Sequence, residues 1–292
     1  MTGRVCVTGA AGLTGSATVL ELLEHGYEVV GADVVAHPTS LPAAWSREDF
    51  RYLRCDLTDF GDAVDVLAGV DAVVHLANVP APGLRPPTRT FTSNTAMNSN
   101  VFLAAAQLGL RRVVWTSSET TLGLDFDTPP LYVPLDEEHY PFPTSTYALS
   151  KVVAETMAGH IASWSGIPFV ALRLSNVMRP EQYSGFPRFW DDPAIRKFNL
   201  WSYVDVRDAA LACRLGLEAD LEGASSFIIA GADTVMNTPS AQLLAEIFPE
   251  VPLRRPFATF ESLQSIDRAR RELGFEPKHS WRDHLGDGAG AR

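Results

Sequence analysis

Residues 5–15 read VCVTGAAGLTG, a short apolar run followed by a turn with the glycine spacing G-x-x-G-x-x-G. The β-branched run over residues 5–8 predicts a buried strand, and residues 16–25 predict a helix that ends at Gly26. A strand that leads through such a turn into a helix N-terminus presents free N–H groups and the positive end of the helix dipole to an anion. The stretch therefore predicts a phosphate-binding turn, although glycine turns of this spacing also occur in loops that bind nothing.

We expect each glycine of the turn to have a different structural role. Gly9 permits the tight turn, Gly12 allows a pyrophosphate to approach the backbone, and Gly15 allows the helix to lie close to the strand. Ala11 and Leu13 stand between these glycines and are included in the predicted cofactor site. The turn therefore predicts where a dinucleotide is held.

A second predicted strand, residues 27–32, leads directly into Asp33. An acidic residue about 20 positions past the glycines can accept hydrogen bonds from a ribose diol, whereas its charge repels a 2′-phosphate. Residues 34–36 are two valines and an alanine, and they offer no arginine that could hold such a phosphate. We therefore predict NAD rather than NADP as the cofactor. The other interpretation of Asp33 is a solvated residue at a strand end.

Composition and charge exclude several classes of function. The chain has 292 residues and a net charge of −11, which argues against a general nucleic-acid binder because phosphate backbones need a basic face. No apolar run approaches the roughly 20 residues that span a membrane, and the chain enters a strand almost at once, so we expect neither a membrane span nor a signal peptide. The cysteines and histidines show no metal-ligand spacing. We expect a cytoplasmic protein without a metal site.

Strand and helix signals alternate along the chain. Further strands are predicted at residues 51–55, 71–77, 111–116, 169–174, 203–206 and 226–230, and further helices at 59–68, 94–108, 145–163, 207–218, 239–248 and 262–273. Strands that alternate with helices indicate a parallel sheet covered on both faces, which is an α/β fold of the doubly wound, Rossmann type. Ligands of such sheets bind at the carboxyl ends of the strands, where the polar candidates of this chain fall.

Residues 147–151 read YALSK, so that Tyr147 and Lys151 lie four apart on a predicted helix and share one face. A lysine ammonium beside a phenol favours the phenolate and lowers the pKa of the tyrosine, which suits Tyr147 as a general acid/base. An exposed helix pair is the alternative interpretation of this motif alone. Earlier in the chain, Ser118 follows the strand over residues 111–116, and we expect its hydroxyl to point into the ligand crevice.

With the glycine turn, Asp33, Ser118, Tyr147 and Lys151 in this order, the chain resembles the extended short-chain dehydrogenases/reductases, also described as NAD-dependent epimerases/dehydratases. The resemblance extends over nearly the whole chain. It implies that Ser118 orients the alcohol or carbonyl of the substrate and that Tyr147 exchanges its proton. It also implies that Lys151 binds the nicotinamide ribose and lowers the pKa of Tyr147.

Further site residues follow from the same resemblance. It implies additional cofactor contacts for Asp56, Leu57, Leu76, Ala77 and Asn94. It implies substrate contacts for Ser118, Glu119 and Asn176. Arg188 or Arg196 could hold a carboxylate or phosphate, or both could be surface charges, and we include Arg188 in the predicted substrate site.

The regular alternation breaks after Asn176, in a segment rich in aromatic residues, prolines and charges. We predict an NAD-binding domain of residues 1–175 and 201–233, a small, mostly C-terminal substrate-binding domain of residues 176–200 and 234–285, and a frayed tail of residues 286–292. The aromatic side chains of the segment fit a lid over a substrate cleft, and they are Phe186, Phe189, Trp190 and Trp201.

These features predict an NAD-dependent oxidoreductase that transfers a hydride at a secondary alcohol or ketone of a sugar or sugar derivative. Dehydratases of the family carry an acid pair after the fifth strand, and Thr120 takes one of those positions here, so we do not expect a dehydratase. The length of the chain and its long loop before Tyr147 resemble uronate dehydrogenases, which oxidise a free sugar acid. A nucleotide-sugar 4-epimerase with transient oxidation stays open, as does a catalytically silent NAD-binding sensor or interaction protein.

The predicted helices over residues 94–108 and 145–163 are adjacent in the fold of this family, where such helices often form a dimer interface. Apolar side chains for such an interface are Leu103, Ala104, Ala105, Val152, Val153 and Met157. We therefore expect a homodimer.

Overall fold

In the computed structural model, residues 3–36, 38–123 and 125–285 are described. The described strands are β1 (Arg4–Thr8), β2 (Glu28–Asp33), β3 (Phe50–Arg54), β4 (Ala72–His75), β5 (Arg112–Thr116), β6 (Phe169–Leu174), β7 (Val177–Met178), β8 (Val204–Asp205) and β9 (Ala224–Ile229). The described α-helices are α1 (Leu13–Glu24), α2 (Phe60–Leu67), α3 (Pro87–Leu108), α4 (Thr146–Ser165), α5 (Val206–Glu218), α6 (Ser240–Ile247), α7 (Asp267–Leu273) and α8 (Arg282–Leu285). The predicted tail lies outside the described residues.

The main sheet has the strand order β3-β2-β1-β4-β5-β6-β9, and every neighbouring pair is parallel. This arrangement confirms the predicted α/β fold. Because consecutive parallel strands need a crossover, the helices between them cover both faces of the sheet. The order changes direction between β1 and β4, which opens a crevice at the carboxyl ends of these two strands.

The central strands are buried on both faces because their side chains alternate between two hydrophobic cores. Val7, on β1, belongs to the core that α1 and α5 cover, whereas the adjacent Cys6 belongs to the core that α2, α3 and α4 cover. The same division separates Val114 from Val113 on β5. A strand that is apolar on both faces therefore forms the middle of the sheet, as the unbroken β-branched runs predict.

Three predicted helices begin at the wrong residue. α1 begins directly at Leu13, three residues earlier than predicted, and α3 begins at Pro87 rather than at residue 94. Proline at the first position of a helix lacks only an N–H that would be unpaired there. α7 begins at Asp267 rather than at residue 262, because Gln264 pairs with Leu135 in an isolated β-bridge.

The two predicted domains share one hydrophobic core. It contains Val7 of the main sheet together with Phe186 and Phe275 from the predicted substrate-binding part. β7 and β8 form a separate parallel pair beside this core. The proposed division into two domains stays a prediction.

Two further properties concern the part of the chain that the structure describes. None of its helices combines the length and the hydropathy that a membrane crossing needs. In the same residues, no group of three or more His, Cys, Asp or Glu side chains is arranged to hold a metal ion.

Candidate active site

A cleft of about 1200 Å³ lies along the carboxyl edge of the main sheet. Its lining includes residues at the ends of the central strands, among them Gly9 after β1, Leu76 after β4 and Ser117 after β5. Doubly wound sheets bind their ligands at this edge, where the strand order changes direction. The cleft is therefore the candidate site for both cofactor and substrate.

The glycine turn forms one wall of the cleft, and its geometry requires glycine at two positions. Gly9 has a φ of +67°, and a Cβ there would lie 2.7 Å from the backbone nitrogen of Ala77. A Cβ on Gly15 would overlap the carbonyl oxygen of Gly9. Gly12 is the N-cap of α1 without a capping side chain, and the first turn of the helix holds no acidic residue. These features fit a bound pyrophosphate, because the first N–H groups of a helix and its dipole favour an anion.

Asp33 stands beside the turn at the end of β2, and two backbone N–H groups hold its carboxylate. The nitrogen of Ala11 donates to Oδ2 at 3.0 Å, and the nitrogen of Val35 donates to Oδ1 at 3.1 Å. A carboxylate has about four acceptor positions, so these two bonds leave capacity for a ribose diol. Asp33 lines the cleft, as do the predicted cofactor residues Leu13, Asp56, Leu57, Leu76 and Ala77.

Two arginines that sequence reasoning missed also line the cofactor end of the cleft, namely Arg85 and Arg89. Hydrogen bonds from Thr58 lower the pKa of Asp56, and the charges of Arg89 and Arg85 lower it further. Arg85 and Arg89 lie just before and within the first turn of α3, which precedes the predicted helix over residues 94–108. The sequence around these two arginines contains no motif that indicates a role in the site.

Asn94 is placed differently from the prediction. It is fully buried on α3, where its Oδ1 accepts from the nitrogen of Val79 at 2.8 Å. Its Nδ2 donates to the carbonyl of Val79 at 3.1 Å and to Oγ of Ser150 at 3.5 Å. Because both ends of the amide are used within the protein, Asn94 holds the loop after β4 against α4 instead of contacting a cofactor directly.

The three predicted catalytic residues meet in the wall of the cleft. Tyr147 and Lys151 lie one turn apart on the buried face of α4, and the hydroxyl of Ser118 is close enough to the phenol of Tyr147 to lower its pKa. Oγ of Ser118 also accepts from the nitrogen and the hydroxyl of Thr120 at 3.2 and 3.0 Å. Nζ of Lys151 donates to the carbonyl of Thr116 at 2.7 Å and lies 5.6 Å from the centre of the Tyr147 ring.

Burial dominates the ionisation of this group. Burial raises the pKa of Tyr147 to about 12, and the hydroxyl of Ser118 offsets only part of that effect. Burial also lowers the pKa of Lys151 to about 7, so the ammonium beside the phenol is itself destabilised. In the protein alone, removal from water therefore determines the direction of both shifts, and the lowering of the Tyr147 pKa by Lys151 stays a prediction.

Glu119 lines the cleft as predicted, but most of its carboxylate is engaged within the protein. Its Oε2 accepts from Oγ of Ser175 at 2.7 Å and from Nε2 of Gln264 at 2.6 Å. Its Oε1 accepts from Nδ2 of Asn199 at 3.3 Å, and burial raises the pKa of the carboxyl. Three of the about four acceptor positions of Glu119 are therefore used within the protein. Gln264 could not have been foreseen, because it is 145 residues away in the sequence.

The two candidate arginines lie in different environments. Arg188 is exposed, stacks 4.7 Å from the centre of the Phe189 ring, and is absent from the described residues that line the cleft. Arg196 is buried, and it donates to Oδ1 of Asn176 at 3.2 Å and to the carbonyl of Ser202 at 3.0 Å. The choice of Arg188 as a substrate residue is therefore not supported. Asn176 lines the cleft, and Arg196 holds its amide.

The aromatic segment is not a lid. Phe186, Phe189 and Trp201 are buried in the hydrophobic core. The indole of Trp190 donates to the carbonyl of Val235 at 3.0 Å, which ties this ring to the C-terminal part of the chain. The prediction was wrong because aromatic residues between prolines can fill a core as readily as they can cover a cleft.

Four lining residues near Ser118 were absent from the predicted site. Phe142 and Phe198 supply apolar surface, whereas Asp125 and Asp127 supply negative charge. The loops that carry them have neither hydrophobic periodicity nor a motif. Only the folded chain brings them to the substrate end of the cleft.

Solved structures share this architecture. UDP-glucose 4-epimerase from Thermotoga maritima superimposes with a TM-score of 0.72 at 22% identity, covering 98% of this chain and 96% of that one. A mutated uronate dehydrogenase superimposes with a TM-score of 0.69 at 24% identity, covering 100% of this chain and 88% of that one. At these identities the two structures establish the fold alone.

Sequence comparison establishes the family. Cinnamoyl-CoA reductase 1 of Oryza sativa subsp. japonica is 33% identical over 271 residues, which cover 85% of this chain and 77% of that protein. The model of the NAD dependent epimerase/dehydratase family matches residues 5–230. The glycine turn, Asp33 and the group of Ser118, Tyr147 and Lys151 all fall within the matched range. This chain therefore belongs to the NAD-dependent epimerase/dehydratase family, is an enzyme of that family, and uses NAD.

Proposed function

We propose that the protein is an NAD-dependent oxidoreductase that transfers a hydride at a secondary alcohol or ketone of a sugar or sugar derivative. The observation that carries this proposal is the contact between Ser118 and Tyr147 in the wall of the cleft, with Lys151 one helical turn away. Two hydroxyl groups that face a cleft together can hold one oxygen of a substrate. A catalytically silent relative has no need to keep all three side chains.

NAD supplies the hydride acceptor when it is bound. The turn over residues 9–15 and the N-terminus of α1 would hold its pyrophosphate, and Asp33 would hold the adenosine ribose. Asp56 would lie along the adenine ring, and Lys151 would bind the nicotinamide ribose. These residues all line the cleft or form its wall.

In the oxidation direction, Ser118 and Tyr147 hold the substrate hydroxyl. The phenolate of Tyr147 would accept the hydroxyl proton, and bound NAD would supply the acceptor for the hydride that leaves the same carbon as the carbonyl forms. The charge of Lys151 stabilises the phenolate. Reduction is the reverse, with Tyr147 donating the proton.

The charges in the lining favour a substrate without an anionic group. Arg85 and Arg89 are the arginines among the described lining residues. Their charges lower the pKa of Asp56, which is at the cofactor end of the cleft. The substrate end carries Asp125 and Asp127 instead. Nζ of Lys197 lies 3.9 Å from Asp127, but none of the described lining residues there is an arginine, so a diphosphate or carboxylate would have no bidentate partner. We therefore favour a neutral sugar over a nucleotide sugar or a uronate.

The test is a panel of neutral sugars, uronates and sugar nucleotides incubated with NAD, with NADH followed by its near-ultraviolet absorbance. Net NADH from neutral sugars supports the proposal. Inversion of a sugar nucleotide without accumulation of NADH identifies a 4-epimerase. Tight NAD binding with no change in any substrate identifies a sensor.

Replacing Asp33 by asparagine is expected to weaken NAD binding about tenfold and to reduce the preference for NAD over NADP, because hydrogen bonds to a charged acceptor contribute about 1.5–3 kcal/mol. Calorimetric titration with both dinucleotides measures this. Asp65→Asn on the exposed side of α2 removes the same charge and serves as the control. An unaltered ratio of the two affinities in Asp33→Asn contradicts the ribose contact.

We also propose a homodimer formed through α3 and α4. Leu103 on α3 is 41% exposed and Leu149 on α4 is 42% exposed, which leaves apolar surface on both helices. Ala104 and Ala105 are fully buried within the chain and cannot contact a partner, contrary to the prediction. Leu103→Glu combined with Leu149→Glu is expected to convert a dimer into a monomer in light scattering. A monomeric wild-type protein at micromolar concentration contradicts the proposal.

A cytoplasmic location is likewise proposed. Cys6, Cys55 and Cys213 are free and buried, and burial raises the pKa of each thiol. Such thiols need no disulfide partner, which suits a reducing compartment.

A further inference from the structure

Glu155 lies one helical turn beyond Lys151, so that Tyr147, Lys151 and Glu155 follow one another at intervals of four residues along α4. The carboxylate of Glu155 is fixed by three hydrogen bonds. Its Oε1 accepts from Oγ of Ser117 at 2.6 Å and from Nε of Arg173 at 2.9 Å, and its Oε2 accepts from Nη2 of Arg173 at 2.8 Å. Arg173 is itself only 4% exposed, so this bidentate pair is shielded from water.

Two groups near Lys151 oppose the cost of burying its charge, namely the carbonyl of Thr116, which accepts from Nζ at 2.7 Å, and the carboxylate of Glu155. His75 on β4 is uncharged, since burial and the charge of Lys151 lower its pKa to about 3. Tyr147 is a neutral phenol whose pKa is raised by burial and by the charge of Glu119. The carboxylate of Glu155 raises the pKa of Lys151 against the effect of burial. The charge state of Lys151 therefore depends on Glu155.

We propose that Glu155 is a positioning residue that keeps Lys151 charged next to Tyr147, by means of a carboxylate that Ser117 and Arg173 hold in place. This inference rests on the proposed roles of Tyr147 and Lys151. It adds a residue that touches neither substrate nor cofactor and acts only through the lysine.

The charge of Lys151 matters because one proton can reside on either Tyr147 or Lys151. The active form has an ionised Tyr147 and a charged Lys151, and the form with both groups neutral contains the same number of protons. Burial raises the pKa of Tyr147 and lowers that of Lys151, and both effects favour the neutral form over the active one. A negative charge that favours the lysine ammonium increases the share of the active form.

The variant Glu155→Gln is therefore expected to have a distinctive pH profile. The pKa of Lys151 falls by about one unit, since removal of a neighbouring opposite charge has effects of that order. The rate of oxidation at neutral and alkaline pH falls about tenfold, and the acid limb of the profile moves to lower pH by the same unit. Below that limb the rate is unchanged, because Lys151 is charged in both proteins there. A merely structural role lowers the rate by one factor at every pH.

A second readout needs no cofactor. The chain contains three lysines, namely Lys151, Lys197 and Lys278, so selective isotope labelling of lysine gives an NMR spectrum with few signals. The signal of Lys151, identified by its loss in Lys151→Arg, is followed against pH in wild-type protein, in Glu155→Gln and in the control Glu246→Gln. Glu246 is exposed on α6, and its replacement removes the same charge.

The expected result is a titration midpoint about one unit lower in Glu155→Gln and an unchanged midpoint in the control. An unchanged midpoint in Glu155→Gln overturns the inference, even where activity falls. A lowered midpoint with a wild-type pH profile instead overturns the proposed catalytic role of Lys151. If Glu155→Gln does not fold, Glu155→Asp tests the same contact by drawing the carboxylate back, and a wild-type midpoint in that variant also overturns the inference.

Discussion

Replacement of Tyr147 by phenylalanine is expected to lower the rate of substrate oxidation about a thousandfold and to leave NAD binding intact, since a positioned general base contributes on the order of 10² to 10⁴. The phenol is the group that takes the hydroxyl proton of the substrate. The ring is buried, and phenylalanine keeps its shape, so the change removes one hydroxyl and its contact with Ser118. NADH absorbance measures turnover, and calorimetry measures the affinity for NAD.

Tyr140→Phe is the matched control for this variant. Tyr140 is 54% exposed, and its replacement removes the same hydroxyl outside the cleft lining among the described residues. Turnover that survives in Tyr147→Phe refutes the proposed function. Loss of NAD binding in that variant shows instead that the substitution disturbs the whole site, and the rate then says nothing about proton transfer.

The substitution Gly15→Ala is expected to weaken NAD binding about a hundredfold, the order of loss that follows from a misplacement of about 1 Å in a positioned site. The added Cβ would overlap the carbonyl oxygen of Gly9 and lie 2.9 Å from Cα of Ala10. Both neighbours are backbone atoms, so the turn and the N-terminus of α1 must move apart. We also expect the free energy of unfolding to fall by about 1–3 kcal/mol, as in other overpacked sites.

Gly159→Ala on α4 provides the control for this second variant. A Cβ at Gly159 meets nothing within 4 Å, and alanine in a helix interior is favoured over glycine by about 1 kcal/mol. Thermal unfolding and calorimetric titration therefore distinguish the effects of Gly15→Ala and Gly159→Ala. If Gly15→Ala binds NAD as wild-type protein does, the turn does not form the wall of a pyrophosphate site.

The strands were the most predictable part of the fold. β6 occupies the predicted residues 169–174, because a strand buried on both faces appears in the sequence as an unbroken apolar run. Helix starts were less predictable where capping signals are weak. α1 begins at a glycine N-cap, and α3 begins with Pro87 and several threonines, so neither start shows a capping side chain.

The residues of the candidate site also differ in how well the sequence predicts their positions. Residues that end a strand or directly follow it, such as Asp33 and Ser118, could be placed in the cleft because the direction of a parallel strand fixes the edge at which it ends. Arg188, which is absent from the described cleft lining, and the internal partners of Glu119 could not be placed in this way. The surroundings of Glu119 depend on residues from distant segments, such as Gln264.

By itself, the sequence determined the fold class, the family and the cofactor, because each depends on residues within a short stretch or on the order of such stretches. The glycine turn, Asp33 and the pair of Tyr147 and Lys151 are patterns of this kind. The tertiary structure alone decided that burial raises the pKa of Tyr147 and lowers that of Lys151, that Ser175 and Gln264 hold the carboxylate of Glu119, and that Ser117 and Arg173 hold that of Glu155. These properties arise from removal from water and from partners far away in the chain, and no local pattern records either of them.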